Sequence, residues 1–200
     1  MCRLSLAQSL QLTNVATQVT RFFFKSSPKT QLCQGDVLHD VKIPLLNNRQ
    51  MEINNIEYCV VTNQECDLDL DYKHRISASE SHDKFLPNII LLPAYQAQVF
   101  REGKHRPPLK LMEWKSKELW NGIIQNNNAR FHCIKQNEAF QLPELIIDFK
   151  HCYTIDRDYL YSQINKVYYV SLAELFRESL SQRYCNYLSR IGLPDDNPII

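Results

Sequence analysis

Residues 55–62 read Asn55-Ile56-Glu57-Tyr58-Cys59-Val60-Val61-Thr62, and the way this stretch pairs decides the fold. From Tyr58 to Val61 every position is apolar, with no alternation of polar residues. A strand wet on one face would alternate, so this is the pattern of an interior strand covered on both faces. Downstream the chain turns polar at once, as Thr62-Asn63-Gln64-Glu65-Cys66-Asp67-Leu68-Asp69-Leu70-Asp71. The expected structure there is a loop over residues 62–84, its side chains capping their own backbone.

Working outward, residues 33–46 (CQGDVLHDVKIPLL) read as a turn at Gly35-Asp36 followed by a strand ending near Pro44, with Asn47-Asn48 as the next turn. Residues 88–95 (NIILLPAY) are a second buried strand. Residues 129–134 (ARFHCI), 144–155 (ELIIDFKHCYTI) and 166–170 are further strands. Two helices are expected near 94–102 and 116–125, separated by Gly103 and Pro107-Pro108. The C-terminal segment carries Leu172, Leu175, Phe176, Leu180, Tyr184, Tyr187, Leu188 and Ile191 at helical spacing. Ser171 and Glu174 have the spacing of a capping box, and Gly192 and Pro194 mark a stop. Short strands, an inserted helical segment and a terminal helix specify an α+β fold. Its centre is a small curved antiparallel sheet, or a partly open barrel. The domain would run over 31–170, with the helical insertion near 94–125 and the helix of 171–192 packed on the sheet. Residues 1–30 look weakly organised, and Arg21-Phe22-Phe23-Phe24 reads as a short strand or a partner-binding tag.

Two hundred residues suffice for one substantial domain. The 44% apolar and 22% charged content argues against disorder. Four glycines among 200 residues disfavour a phosphate-cradling loop, and a formal charge of +1 supplies no global field toward nucleic acid or membrane. Seven cysteines, an odd number without a CxxC pair, suit reduced thiols in a cytoplasm. No run is long enough for a membrane span. The acid-free first 35 residues resemble a transit peptide in composition, although a plain basic segment is the preferred reading.

The Asp67-x-Asp69-x-Asp71 run begins like a calcium loop, but Tyr72 stands where glycine is needed and Ala78 where glutamate is needed. No cofactor is therefore expected. Zinc would require Cys66, His132 and His151 to converge from separate elements, since strand alternation splits the pairs His132-Cys133 and His151-Cys152. Cys66 as a nucleophile would need a neighbouring base, and the adjacent Asp67 disfavours its thiolate. Arg130 and His132 would share one strand face, as would Asp148 and Lys150. Pairing among these groups is one reading. A concave site that grips a phosphate or polar ligand is the other.

"QGDV" opening one strand and "VVTNQECDLD" closing the next resemble an uncharacterised bacterial family with Gly-Asp-Ile/Val and Val-Val-Ser/Thr-Gln-x-Cys-Asp motifs. "PELIIDFKHCYTI" and "LFRESLSQRYCNYLSRIGLP" fit its closing strand and helix. More distantly, the first two strands are similar to the SH3-like barrel of PemK/MazF toxins. Those are metal-independent endoribonucleases that use a basic residue and a Ser/Thr beside the scissile phosphate. The resemblance places Thr62 at that Ser/Thr position, but the Arg-Pro pair usually preceding the strand is absent. RNA cleavage would use Arg130 as the cation and His132 or His151 as general base. The favoured expectation is a non-enzymatic binding or regulatory module, of the kind found in bacterial stress or phage-defence systems. Its binding residues would be Asp36, Gln64, Cys66, Asp67 and Asp148, with a protein partner at the C-terminal helix or at Phe22 to Phe24.

Overall fold

The computed structural model describes residues 16–190 except 48, 79, 81 and 108, with the backbone alone for 16, 17 and 45–47. Nine strands form one sheet in which every pairing is antiparallel: β1 (Ala16–Val19), β2 (Phe23–Ser27), β3 (Asp36–Asn47), β4 (Gln50–Val61), β5 (Asn88–Gln96), β6 (Phe131–Ile134), β7 (Leu145–Asp148), β8 (Tyr153–Asp156) and β9 (Tyr168–Leu172). The order is β1-β2-β9-β3-β4-β5-β7-β6, with β8 paired on β5 and the sheet unclosed. Six helices accompany it: α1 (Glu65–Ile76), α2 (Ala97–Arg101), α3 (Lys117–Ile124), α4 (Arg157–Ser162), α5 (Ile164–Val167) and α6 (Glu174–Leu188). The fold is α+β, as the strand and helix patterns specify. Among the described residues no helix is long and apolar enough to cross a membrane.

Residues 58–61 sit at the middle of the sheet between β3 and β5. Tyr58 and Val60 join the core under α6 with Leu92, Val170 and Leu180. Cys59 and Val61 join the opposite core with Leu68 of α1, Leu160 of α4 and Val167 of α5. Both faces are covered, which is why the stretch carries no polar alternation. A third cluster packs Phe100 of α2 and Ile123 of α3 on Phe131, Cys133 and Ile146.

Five local expectations change. Residues 16–19 and 23–27, in the segment expected to be weakly organised, pair as β1 and β2 and join the sheet through β9. Residues 65–76 are a helix where a loop was expected. Glu65 and Asp67 occupy its first turn and Lys73, His74 and Arg75 its last, an order that complements the helix dipole. Asp69–Lys73 and Asp71–Arg75 are i,i+4 ion pairs at 2.6 and 2.7 Å. Ser171 belongs to β9 and bonds Asp36 at 2.5 Å instead of capping α6, which begins after Ala173. Residues 164–167 are helical, so the strand starts at Tyr168. The run 144–155 breaks into β7 and β8. There the Lys150 N–H donates to Asp148 Oδ1 and the His151 N–H to the Asp148 carbonyl, closing a turn. The stop expected at Gly192 and Pro194, and Asn48 of the expected hairpin turn, lie outside the described residues.

Gly35 takes φ +80 in the turn before β3, and a Cβ there would stand 2.7 Å from Cβ of Arg177. That turn is held by a buried knot. Asp36 accepts from Lys29 Nζ, Ser171 Oγ and the Cys33 N–H. Nearby, Glu65 accepts from the Gln34 N–H and pairs with Arg177, tying the turn before β3 to α1 and α6. Phe23 is buried in the α6-side core, while Phe22 meets Phe176 edge to face, with centroids 4.7 Å apart.

Candidate ligand cleft

β5 pairs with β4 only over 58–61, then leaves at Gln96 and turns into α2. Upstream of Tyr58, β4 keeps β3 on one edge and, among the described residues, has no strand on the other. The space beside that open edge is a cleft of about 600 Å³. Its walls are residues 52–57 of β4, 93–96 of β5 and the segment 104–107, with Val99 and Tyr153 at its sides. Gly103 makes the second wall possible: it takes φ +70, and a Cβ there would stand 2.6 Å from the Leu111 carbonyl. The chain then folds back, and the Trp114 N–H donates to the Arg101 carbonyl at 2.9 Å.

Behind Tyr95 runs a connected set of polar groups. Arg130 grips Asp148 with two bonds, from Nε at 2.8 Å and from Nη2 at 2.5 Å. Asp148 Oδ2 lies 3.8 Å from His151 Nε2, and His151 Nδ1 lies 2.9 Å from the Tyr95 hydroxyl. A neutral His151 with its proton on Nε2 satisfies both ends, accepting from Tyr95 and facing the carboxylate. Tyr95 in turn meets His105, with ring centroids 4.7 Å apart. His105 stacks on Phe100 at 4.3 Å, leaving its Nδ1 buried and unbonded.

Burial sets the protonation of the cluster. It lowers His151, a shift that Asp148 opposes and Arg106 and Arg130 reinforce. Burial, with His151 adding to it, lowers His105 to about 4, and burial raises the Tyr95 phenol. Burial also pushes Asp148 up, but the Arg130 fork and the Lys150 N–H outweigh it and hold the carboxyl below its usual range. At neutral pH the cleft therefore offers a phenol and a neutral imidazole backed by an ionised pair. Arg106 makes no ion pair among the described residues, whereas Lys104 pairs with Glu102 at 2.8 Å and Gln96 Nε2 donates to Glu57 at 2.5 Å.

Of the residues singled out in sequence, the structure joins Arg130, Asp148 and His151. His132 is not with them. It faces the α6-side core beside Phe149, while the Arg130 guanidinium crosses the Phe131 ring to reach Asp148 on the other face. Burial, with Arg183 nearby, lowers His132 to about 3. Thr62 bonds the Ile90 carbonyl, at the far end of β5 from Gln96. Asp36 is in the buried knot. Gln64 precedes α1, and its Oε1 lies 3.6 Å from the exposed Cys66 Sγ, whose other polar neighbour is Asp67 at 3.8 Å. No histidine bonds Cys66 among the described residues, and none of their His, Cys, Asp and Glu side chains cluster as a metal site. Tyr95, His105, Arg106 and the open edge of β4 were not singled out. The signal available was slight: a His-Arg pair between Gly103 and Pro107. No protein-family model matches the chain, and no curated protein matches it.

Proposed function

We propose that the protein is a binding or regulatory module whose ligand site is the cleft between β4 and residues 104–107. One observation carries this reading: a roomy cleft is lined by a phenol, a neutral imidazole, side-chain amides and a guanidinium that makes no ion pair among the described residues. Such groups orient a polar ligand. A general base works best when its pKa lies near the working pH, and His105 at about 4 lies well below it. A bacterial stress or phage-defence setting is the context proposed for such a module. A thermal-shift screen of defined anions, nucleotides and peptides, run on the wild-type chain and Arg106→Glu, tests it. The expected result is a ligand that raises the wild-type melting temperature and leaves the variant unmoved. A hit that acts equally on both proteins counts against the cleft.

The second reading is a metal-independent ribonuclease. It draws support from His105 and His151, whose ring centroids are 6.4 Å apart, with Arg106 and Arg130 around them. Three features weigh against it. Arg130 is engaged by Asp148, His132 faces away, and Glu52 and Glu57 balance Lys104 and Arg106 along the cleft. RNA affinity rests chiefly on clustered cations. Total RNA from bacteria induced for the wild-type chain should stay intact. Fragmentation that His105→Ala or Arg130→Ala abolishes would instead establish the ribonuclease.

A further inference from the structure

Six consecutive residues of β4, Glu52, Ile53, Asn54, Asn55, Ile56 and Glu57, line the cleft. Successive side chains of a strand point to opposite faces, so an unbroken run of lining residues means that the cleft meets the strand along its edge. β3 occupies the other edge throughout, with Ile43 opposite Asn54 and Pro44 opposite Ile53. Proline has no N–H to give the ladder, so its pair takes the non-bonded place, and alternation does the same for Asn55 opposite Lys42. The N–H and C=O groups of Ile53 and Asn55 therefore point away from β3, into the cleft. Where the second strand neighbour of β4 would lie, β5 has already turned into α2.

We propose that the cleft takes an extended peptide segment of a partner protein, which adds as a strand beside residues 53–57 of β4. This rests on the binding-module reading and names its ligand class. An unpaired strand edge is complementary to one thing above all, the backbone of another extended chain. Two side-chain features select among peptides. Ile53 and Val99, 71% and 39% exposed, flank the edge and suit apolar residues at alternate positions. Arg106 on the facing wall suits a carboxylate, either an acidic side chain or a chain terminus. A second copy of this chain fits less well, because its β4 would bring β3 and its own 104–107 wall into the same cleft.

The test is selection of a random-peptide phage library on the immobilised full chain, with counter-selection on Arg106→Glu. Enriched sequences are then synthesised and titrated against wild type, Arg106→Glu and Asn55→Pro. Asn55→Pro removes a cleft-facing N–H and leaves the β3 pairing, which circular dichroism and the unfolding midpoint verify. The expected peptides alternate apolar residues and carry a carboxylate. Their affinity should fall about tenfold or more with Asn55→Pro, or with N-methylation at every second peptide amide, the loss from one or two main-chain hydrogen bonds. Should Asn55→Pro fail to fold, the N-methyl series on the wild-type chain decides alone. Peptides that need Arg106 but tolerate N-methylation would overturn strand addition and leave the binding module standing. No enrichment over the Arg106→Glu control, or a concentration-dependent dimer lost in Asn55→Pro, would overturn the peptide-ligand inference.

Discussion

His132 is 6% exposed, with Nδ1 buried and unbonded beside Phe149. Its folded pKa of about 3 lies below the ordinary imidazole value, so between about pH 6.5 and 3 the unfolded chain binds more protons there. Stability is then complete above that window and lost as pH falls through it, at up to about 1.4 kcal/mol per pH unit for one proton. His105 and His151 are shifted in the same direction and add to the slope. Urea midpoints measured from pH 7.5 to 5 should fall for the wild-type chain and fall less for His132→Leu. Equal slopes would show that His132 does not carry the effect. At Asp36 the balance is different. Burial opposes charge on both Lys29 and Asp36, but each compensates the other, with Cys33 and Ser171 donating to the same carboxylate. Asp36→Asn leaves the ammonium uncompensated and should cost about 3–5 kcal/mol in chemical denaturation. A loss below about 1 kcal/mol would mean that Lys29 escapes to water.

At the scale of elements, apolar spacing located the strands and α6 well. Leu180 is buried, and Phe176, Tyr184 and Tyr187 pack against its core, while Leu175 and Leu188 of the same stripe stay exposed. The α1 segment was illegible because only Leu68 supplies a buried apolar residue. Its helix rests on charge order and on Asp71, which also holds Arg157 at 2.8 Å and the Leu86 N–H at 2.9 Å. Ser171 misled for a related reason. Capping-box spacing is a local signal, whereas the Ser171 hydroxyl is taken by Asp36, 135 residues away. Gly35 should tolerate no side chain, since its φ and its approach to α6 both exclude one. Gly35→Ala should lower the unfolding free energy by about 1–3 kcal/mol, and a variant as stable as wild type would show that α6 gives way freely.

The whole molecule explains why the cleft was harder to read than the fold. Arg130 and Asp148 could be anticipated as partners because they flank adjacent strands. The open edge at 52–57 exists only because β5 stops pairing after Tyr58 opposite Ala94, and no pattern within β4 records where its neighbour ends. The two walls also lie about fifty residues apart in the chain, joined by a sheet whose order is not that of the sequence. Amide hydrogen exchange on the full-length chain, alone and with a selected peptide, is the most direct measurement. In the free protein the amides of Ile53 and Asn55 should exchange quickly beside slowly exchanging Asn54, and peptide should slow the first two selectively. Uniform protection across 53–55 in the free chain, or no change on adding peptide, would contradict an open edge that serves as the binding site.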